Sequence, residues 1–322
     1  MPFVEVNAVP HYYEIVGPHP QEQNSTGFPL PLVMTAGGQK SGESMRDLAN
    51  MLLEYGMEAG GDQAGGVSFI LWDRRNSEGR TGVKFDDELS IRHDELEVQC
   101  TDLYVLLTKL KLLPCVLLGN SSGARLSLLF AHLFPDAVRG LVLINLTAGP
   151  IAAEVLSRTY YGQHVTNIHR RGMFGIFESR MYSTMCAANE ATAAALRATQ
   201  EGVLLNYLER NFQRLREQTD PEAYPVLGIP KSKMEDVQHT VLVLHNFGEG
   251  ECDSMHSLSV STRVSKILRN AALVHSTDPV VWFPALVNFI ERLRVAKRMD
   301  DEERGIVSPR LTLDEDEIAD EM

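Results

Sequence analysis

The chain has 322 residues, 44% apolar and 23% charged, which is the composition of a soluble globular protein and excludes a fibrous or disordered one. Of the formal charge of -13, a net -8 falls on residues 300–322, so the rest carries -5 and offers no basic face for nucleic acid. Cys100, Cys115, Cys186 and Cys252 lie far apart without metal-ligand spacing. They read as free thiols of a reducing, cytoplasmic setting, with no metal bound.

No basic start followed by an apolar run opens the chain, and no apolar stretch is long enough to span a bilayer, so neither a secreted precursor nor a membrane protein is expected. Short apolar runs rich in β-branched residues follow at Leu30 to Thr35, Val67 to Trp72, Cys115 to Gly119 and Leu141 to Leu146. Such runs suit strands buried on both faces. Between them, residues 94–112 repeat Leu96, Cys100, Leu103, Leu107 and Leu110 at helical spacing, with Glu97, Asp102 and Lys109 on the other face. The alternation predicts an α/β protein, with a mostly parallel twisted sheet flanked by helices.

After Leu146 the strands stop. Residues 151–236 are rich in helix formers, and Leu204, Leu205, Leu208, Phe212 and Leu215 form one helical stripe, so a helical cap is expected to interrupt the sheet. Strand patterns return at Val241 to Leu244 and Ala271 to Val274, and Pro284 is placed to open a final helix carrying Leu286, Phe289, Ile290 and Leu293. The expected organisation is a core over 1–150 and 237–299, a cap over 151–236, and a flexible acidic tail over 300–322 suited to a protein partner.

The most specific local signal is Gly119-Asn120-Ser121-Ser122-Gly123, which follows a predicted strand and opens a helical run. Small residues on both sides let strand and helix approach, and the turn projects Ser121 above the sheet edge at a helix N-terminus. There, backbone N–H groups favour a developing anion. An ordinary tight turn with a capping serine is the alternative.

With Leu32-Val33-Met34-Thr35-Ala36-Gly37-Gly38, Trp72-Asp73-Arg74-Arg75 and Gly140-Leu-Val-Leu-Ile-Asn145 around this motif, residues 10–296 resemble the α/β-hydrolase superfamily in its cap-bearing serine hydrolase form. The runs around Tyr160-Tyr161-Gly162-Gln163 and Arg171-Gly172-Met173 resemble a bacterial-type subgroup of it. The resemblance implies a cofactor-independent hydrolase with Ser121 as nucleophile and the N–H groups of Gly38 and Ser122 as oxyanion donors. Ala36 stands where many relatives have histidine, and Asp73-Arg74-Arg75 resembles a turn that braces the loop.

The same resemblance puts the acid after the strand at 241, where Asp253 is the choice and Glu249 the runner-up. The base is expected after the last strand. His275 is the residue there, although the usual Gly-His pair is missing, and His256 is second choice. Tyr160, Tyr161, Met173, Phe174 and Phe177 are candidates to line an apolar pocket, which would suit a small, fairly apolar ester, thioester or activated carbonyl. The competing readings are a catalytically degenerate binding protein and non-hydrolytic lyase or oxygen chemistry at the same elbow.

Overall fold

The computed structural model describes residues 2–21, 29–58, 66–246 and 255–304. One sheet forms, whose strands are β1 (Phe3–Val6), β2 (Val9–Val16), β3 (Leu30–Thr35), β4 (Val67–Trp72), β5 (Cys115–Asn120), β6 (Val138–Ile144), β7 (Val241–His245) and β8 (Ala271–His275), the last six at the runs expected from the sequence. Their order is β1-β2-β4-β3-β5-β6-β7-β8, with β1 and β2 antiparallel to their neighbours and all other pairs parallel. Every residue of β3, β4 and β7 is buried, as expected of strands covered on both faces.

The hairpin of β1 and β2 lies outside the runs read from the sequence. It turns at Asn7 and Ala8, both at positive φ (49° and 58°), and β2 is only half-buried along most of its length. An edge strand of this kind lacks the continuous apolar run that marks the central ones.

Helices cover both faces. On one side α3 (Glu95–Leu110) and α4 (Ser122–Leu133) pack over Leu117, Leu141 and Val243. On the other, α1 (Arg46–Glu58) and α13 (Pro279–Glu303) cover Leu118, Val142 and Leu244. Pro284 does not open α13 but lies inside it. The start is set earlier, where Asp278 Oδ1 accepts the Val280 N–H at 2.9 Å, and Val280, whose carbonyl faces the proline that has no N–H to offer it, is 79% exposed to solvent. The helix also runs past the expected boundary at 299. Arg139 Nη1 meets Asp300 Oδ2 at 2.7 Å and Lys297 Nζ meets Asp301 Oδ2 at 2.5 Å, so the first acids of the expected tail belong to a docked helix.

Between β6 and β7 the chain is helical, as expected. The insertion comprises α5 (Gly149–Ser157), a π-helical turn (Arg158–Gly162), α6 (Gln163–Arg171), α7 (Met173–Phe177), α8 (Arg180–Ala188), α9 (Glu190–Ala198) and α10 (Glu201–Arg216), followed by the short α11 (Lys231–Glu235). Its own core gathers Ala152, Leu156, Ile176, Met185, Leu204 and Leu208. No helix among the described residues is long and apolar enough to cross a membrane.

Candidate active site

Strand β5 runs into α4 through Ser121, whose backbone stands at φ 53° and ψ -113°, a strained conformation for a residue with a side chain. The flanking glycines explain how it is held. A Cβ on Gly119 would come within 2.2 Å of the Gly123 carbonyl oxygen, and one on Gly123 within 2.1 Å of the Thr35 carbonyl oxygen. Only hydrogen fits at either place. The Ser121 N–H donates to the Ile144 carbonyl at 2.8 Å, anchoring the turn to β6. Such a strand-turn-helix elbow thrusts the serine hydroxyl clear of the sheet.

His256 is the histidine that meets it. Its Nε2 lies 2.8 Å from Ser121 Oγ, and the residue is buried just before α12 (Leu258–Ile267). His275, expected in this place, stands elsewhere. That residue ends β8, is exposed, and sets its ring 5.3 Å from His245, its register partner on β7. Its place on the strand gives the reason, because β8 lies three strands from β5, about 14 Å at the usual spacing, and His275 is the last residue of the strand itself rather than part of a loop that could carry the ring back. His256 follows β7, which lies one strand closer to β5 than β8 does, and stands just before α12. His245 stands beside the pair, its imidazole held below the ordinary histidine range by burial and by His275 and His256. Asp253 and Glu249 lie outside the described residues.

The loop after β3 closes the other side. A Cβ at Gly37 would stand 3.3 Å from Ser121 Cβ, so the loop lies directly on the elbow, and Gly38 follows at φ 58°. Its carbonyl accepts from Ser122 Oγ at 2.6 Å and from Arg74 Nη2 at 2.5 Å. Two donors on one carbonyl fix the loop peptide beside the elbow, a bracing that Ala36 itself cannot provide. Asp73 takes part from below, accepting the N–H of Gly42 and that of Arg80, each at 2.7 Å. Arg75 is fully buried, with Nη2 2.6 Å from Asp102 Oδ1 and Nη1 2.6 Å from Asp87 Oδ2. Burial pulls its guanidinium down, but Asp102 beside it holds it above its ordinary range. The bracing expected for Asp73-Arg74-Arg75 is carried by Arg74 and Asp73, while Arg75 ties the turn to Asp102 and Asp87.

A small cavity adjoins Gly38 and Ser122 and lies between the sheet's edge and the insertion. It differs from the apolar pocket read from the sequence. Tyr160 and Tyr161 do line it, but so do Arg74, Arg125 and Glu95, whereas Phe174 is 59% exposed beneath Arg171. The tyrosine rings pack in the insertion while their hydroxyls face polar groups. Tyr161 donates to the Glu95 carboxylate, and a Cβ on Gly38 would stand 3.7 Å from the Tyr160 hydroxyl. Burial pushes the Glu95 carboxyl up, against the hydroxyls of Tyr161 and Tyr207 that bond to it. Arg125 was missed in the sequence, although a lone cation in the apolar run Ala124-Arg125-Leu126-Ser127-Leu128 was the available signal.

Comparison with solved structures finds the same fold across nearly the whole chain. A putative lipase from Acinetobacter baumannii AYE superposes with a TM-score of 0.56 at 16% identity, covering 91% of each chain. A meta-cleavage product hydrolase from Pseudomonas fluorescens IP01 gives 0.53 at 15% identity, over 90% of this chain and 96% of that one. The enol-lactonase from Burkholderia xenovorans LB400 gives 0.53 at 13%, over 91% and 99%. The fold is that of the α/β-hydrolases. No protein-family model and no curated protein matches the sequence. Within the α/β-hydrolase fold, the elbow serine and the loop after β3 occupy one edge of the sheet, where parallel strands deliver their C-terminal residues.

Proposed function

We propose that the protein is a cofactor-independent serine hydrolase acting on an ester or related activated carbonyl. The observation that carries this reading is the 2.8 Å contact between Ser121 Oγ, on its strained elbow, and His256 Nε2. A hydroxyl is a weak nucleophile until a base within hydrogen-bond reach takes its proton. Ser121 Oγ attacks the carbonyl carbon as His256 Nε2 accepts that proton, and the carbonyl electron pair moves onto oxygen. The N–H groups of Ser122 and Gly38 receive the oxyanion, the loop being held in place by Arg74. Collapse expels the leaving group, which takes the proton from His256. Water, deprotonated by His256, then attacks the acyl-serine and releases acid and free Ser121. Asp253, three residues before His256, is the acid proposed to orient the imidazole, and the helical insertion is the cap over the site. The solved structures named hydrolases support the reaction class, and the polar cavity replaces the expected preference for an apolar substrate.

Labelling with a fluorophosphonate probe tests the reading. The wild-type protein should label, while Ser121→Ala and His256→Ala should not, and His275→Ala should label normally. A folded wild-type protein that fails to label would overturn it.

A further inference from the structure

The cavity beside Gly38 and Ser122 contains two guanidinium groups that the fold buries with no carboxylate at ion-pair distance among the described residues, Glu95 acting on both only from farther off. Arg74 is 4% exposed and Arg125 6%, and among the described residues no acid stands within ion-pair distance of either. Arg74 spends donors on the Gly38 carbonyl and the Ser122 hydroxyl. Arg125 uses only Nε, on the Leu227 carbonyl at 2.5 Å, and no hydrogen bond among the described residues engages its Nη atoms. Burying a charge in this way is costly unless something pairs with it.

The surroundings were cleared for the Arg125 end group. Gly228, at φ 90°, lies so close that a Cβ there would be 3.0 Å from Arg125 Nη2. Three cations line the space, Arg74, Arg125 and Arg214, against two acids, Asp94 and Glu95. Those acids are already occupied. Asp94 caps α3 by accepting the Glu97 N–H at 2.9 Å, and Glu95 is held by tyrosine hydroxyls. By formal charge the lining is one positive unit in excess, and it stands next to the residues that would hold the oxyanion.

We propose that this cavity is an anion subsite, in which Arg74 and Arg125 receive a carboxylate on the substrate a few bonds from the carbonyl that Ser121 attacks. The assignment of that carbonyl rests on the serine hydrolase reading; the binding of the carboxylate does not. A carboxylate matches one surplus charge and presents a planar pair of oxygens to guanidinium donors. The substrate class is then a half-ester or other acyl compound with a free acid end. Burial pulls both arginines below their ordinary range, and a bound anion opposes that pull.

Calorimetric titration of Ser121→Ala, which needs no turnover, provides the test with monomethyl glutarate, dimethyl glutarate and inorganic phosphate as probes. The half-ester should bind at least about tenfold more tightly than the diester, and phosphate more weakly than the half-ester. Adding Arg125→Met should erase the preference, and Arg125→Lys should restore part of it, with circular dichroism confirming that each variant is folded. Equal binding of half-ester and diester to the Ser121→Ala protein, which involves no change at Arg125, would overturn the proposal, as would discrimination that survives Arg125→Met. Phosphate binding more tightly would overturn the carboxylate assignment. Probe labelling without this discrimination breaks the subsite alone, while discrimination without labelling keeps the subsite and breaks the hydrolase reading.

Discussion

The sheet and the insertion are stabilised in different ways. In β3 and β4 every side chain is buried, and the two faces are closed by aliphatic contacts with the helices on each side. The insertion also has an aliphatic centre, but it buries polar groups as well: His164 is 1% exposed with Nδ1 unpaired among the described residues, and Tyr161 is tied to Glu95. It leaves Ile151 and Phe174 more than half exposed. An aliphatic core responds little to pH, whereas a polar interior does. The sheet half also buries charge, at Arg75 and Asp102, but there the charges are paired, whereas the His164 ring of the insertion is not held by any acid among the described residues.

The largest effect should come from the elbow. Ser121→Ala and His256→Ala should each lower ester hydrolysis by about 10⁴-fold or more, while His275→Ala stays within about threefold of wild type, as measured by steady-state kinetics. Equal losses at His256 and His275 would remove the distinction drawn between them.

Next in size is the buried ion pair beneath the site. Asp102→Ala leaves Arg75 buried against Asp87 alone and should cost about 3–5 kcal/mol in urea unfolding, within the sheet half of the molecule. A loss below about 1 kcal/mol would show that water replaces Asp102.

The insertion should then reveal itself through pH. Burial holds the His164 imidazole at about 4, below its ordinary 6.5. The unfolded chain thus binds a proton that the native insertion refuses, so stability is full above the unfolded value and declines as pH falls toward the folded one. The whole decline is worth about 3 kcal/mol. Urea midpoints at neutral and mildly acidic pH should separate in wild type and converge in His164→Phe, and identical separation in both would defeat this account. The smallest effect belongs to the end of α13, where Asp300 is half-exposed: Asp300→Ala should change stability by about 1 kcal/mol or less in the same assay.

What could be read from the sequence follows the same division. The central strands announced themselves because covered strands are unbroken apolar runs, and Gly119 and Gly123 because only glycine tolerates the backbone contacts at the elbow. The β1–β2 hairpin was invisible because an edge strand is mixed in character. His275 was preferred to His256 because position along the chain does not show whether a residue ends a strand or sits on a loop that can reach across the sheet, and His275 ends β8. The polar cavity was hidden for a related reason. Arg74 and Arg125 come from the sheet half and Tyr160 from the insertion, and no linear pattern shows that they meet.

The π-helical turn at Arg158–Gly162 sets the angular phase of the helix that crosses the cavity. A turn of this kind accommodates one residue more than an α-turn. Each residue advances an α-helix by about 100°, so the extra one rotates everything beyond it by that amount relative to an uninterrupted helix. Tyr160 and Tyr161 sit within the widened turn, which lets consecutive tyrosines both line the cavity, although neighbours on a regular helix point well apart. One residue gained or lost there would redial the helix and exchange the groups presented to the substrate, leaving the sheet and its serine where they are.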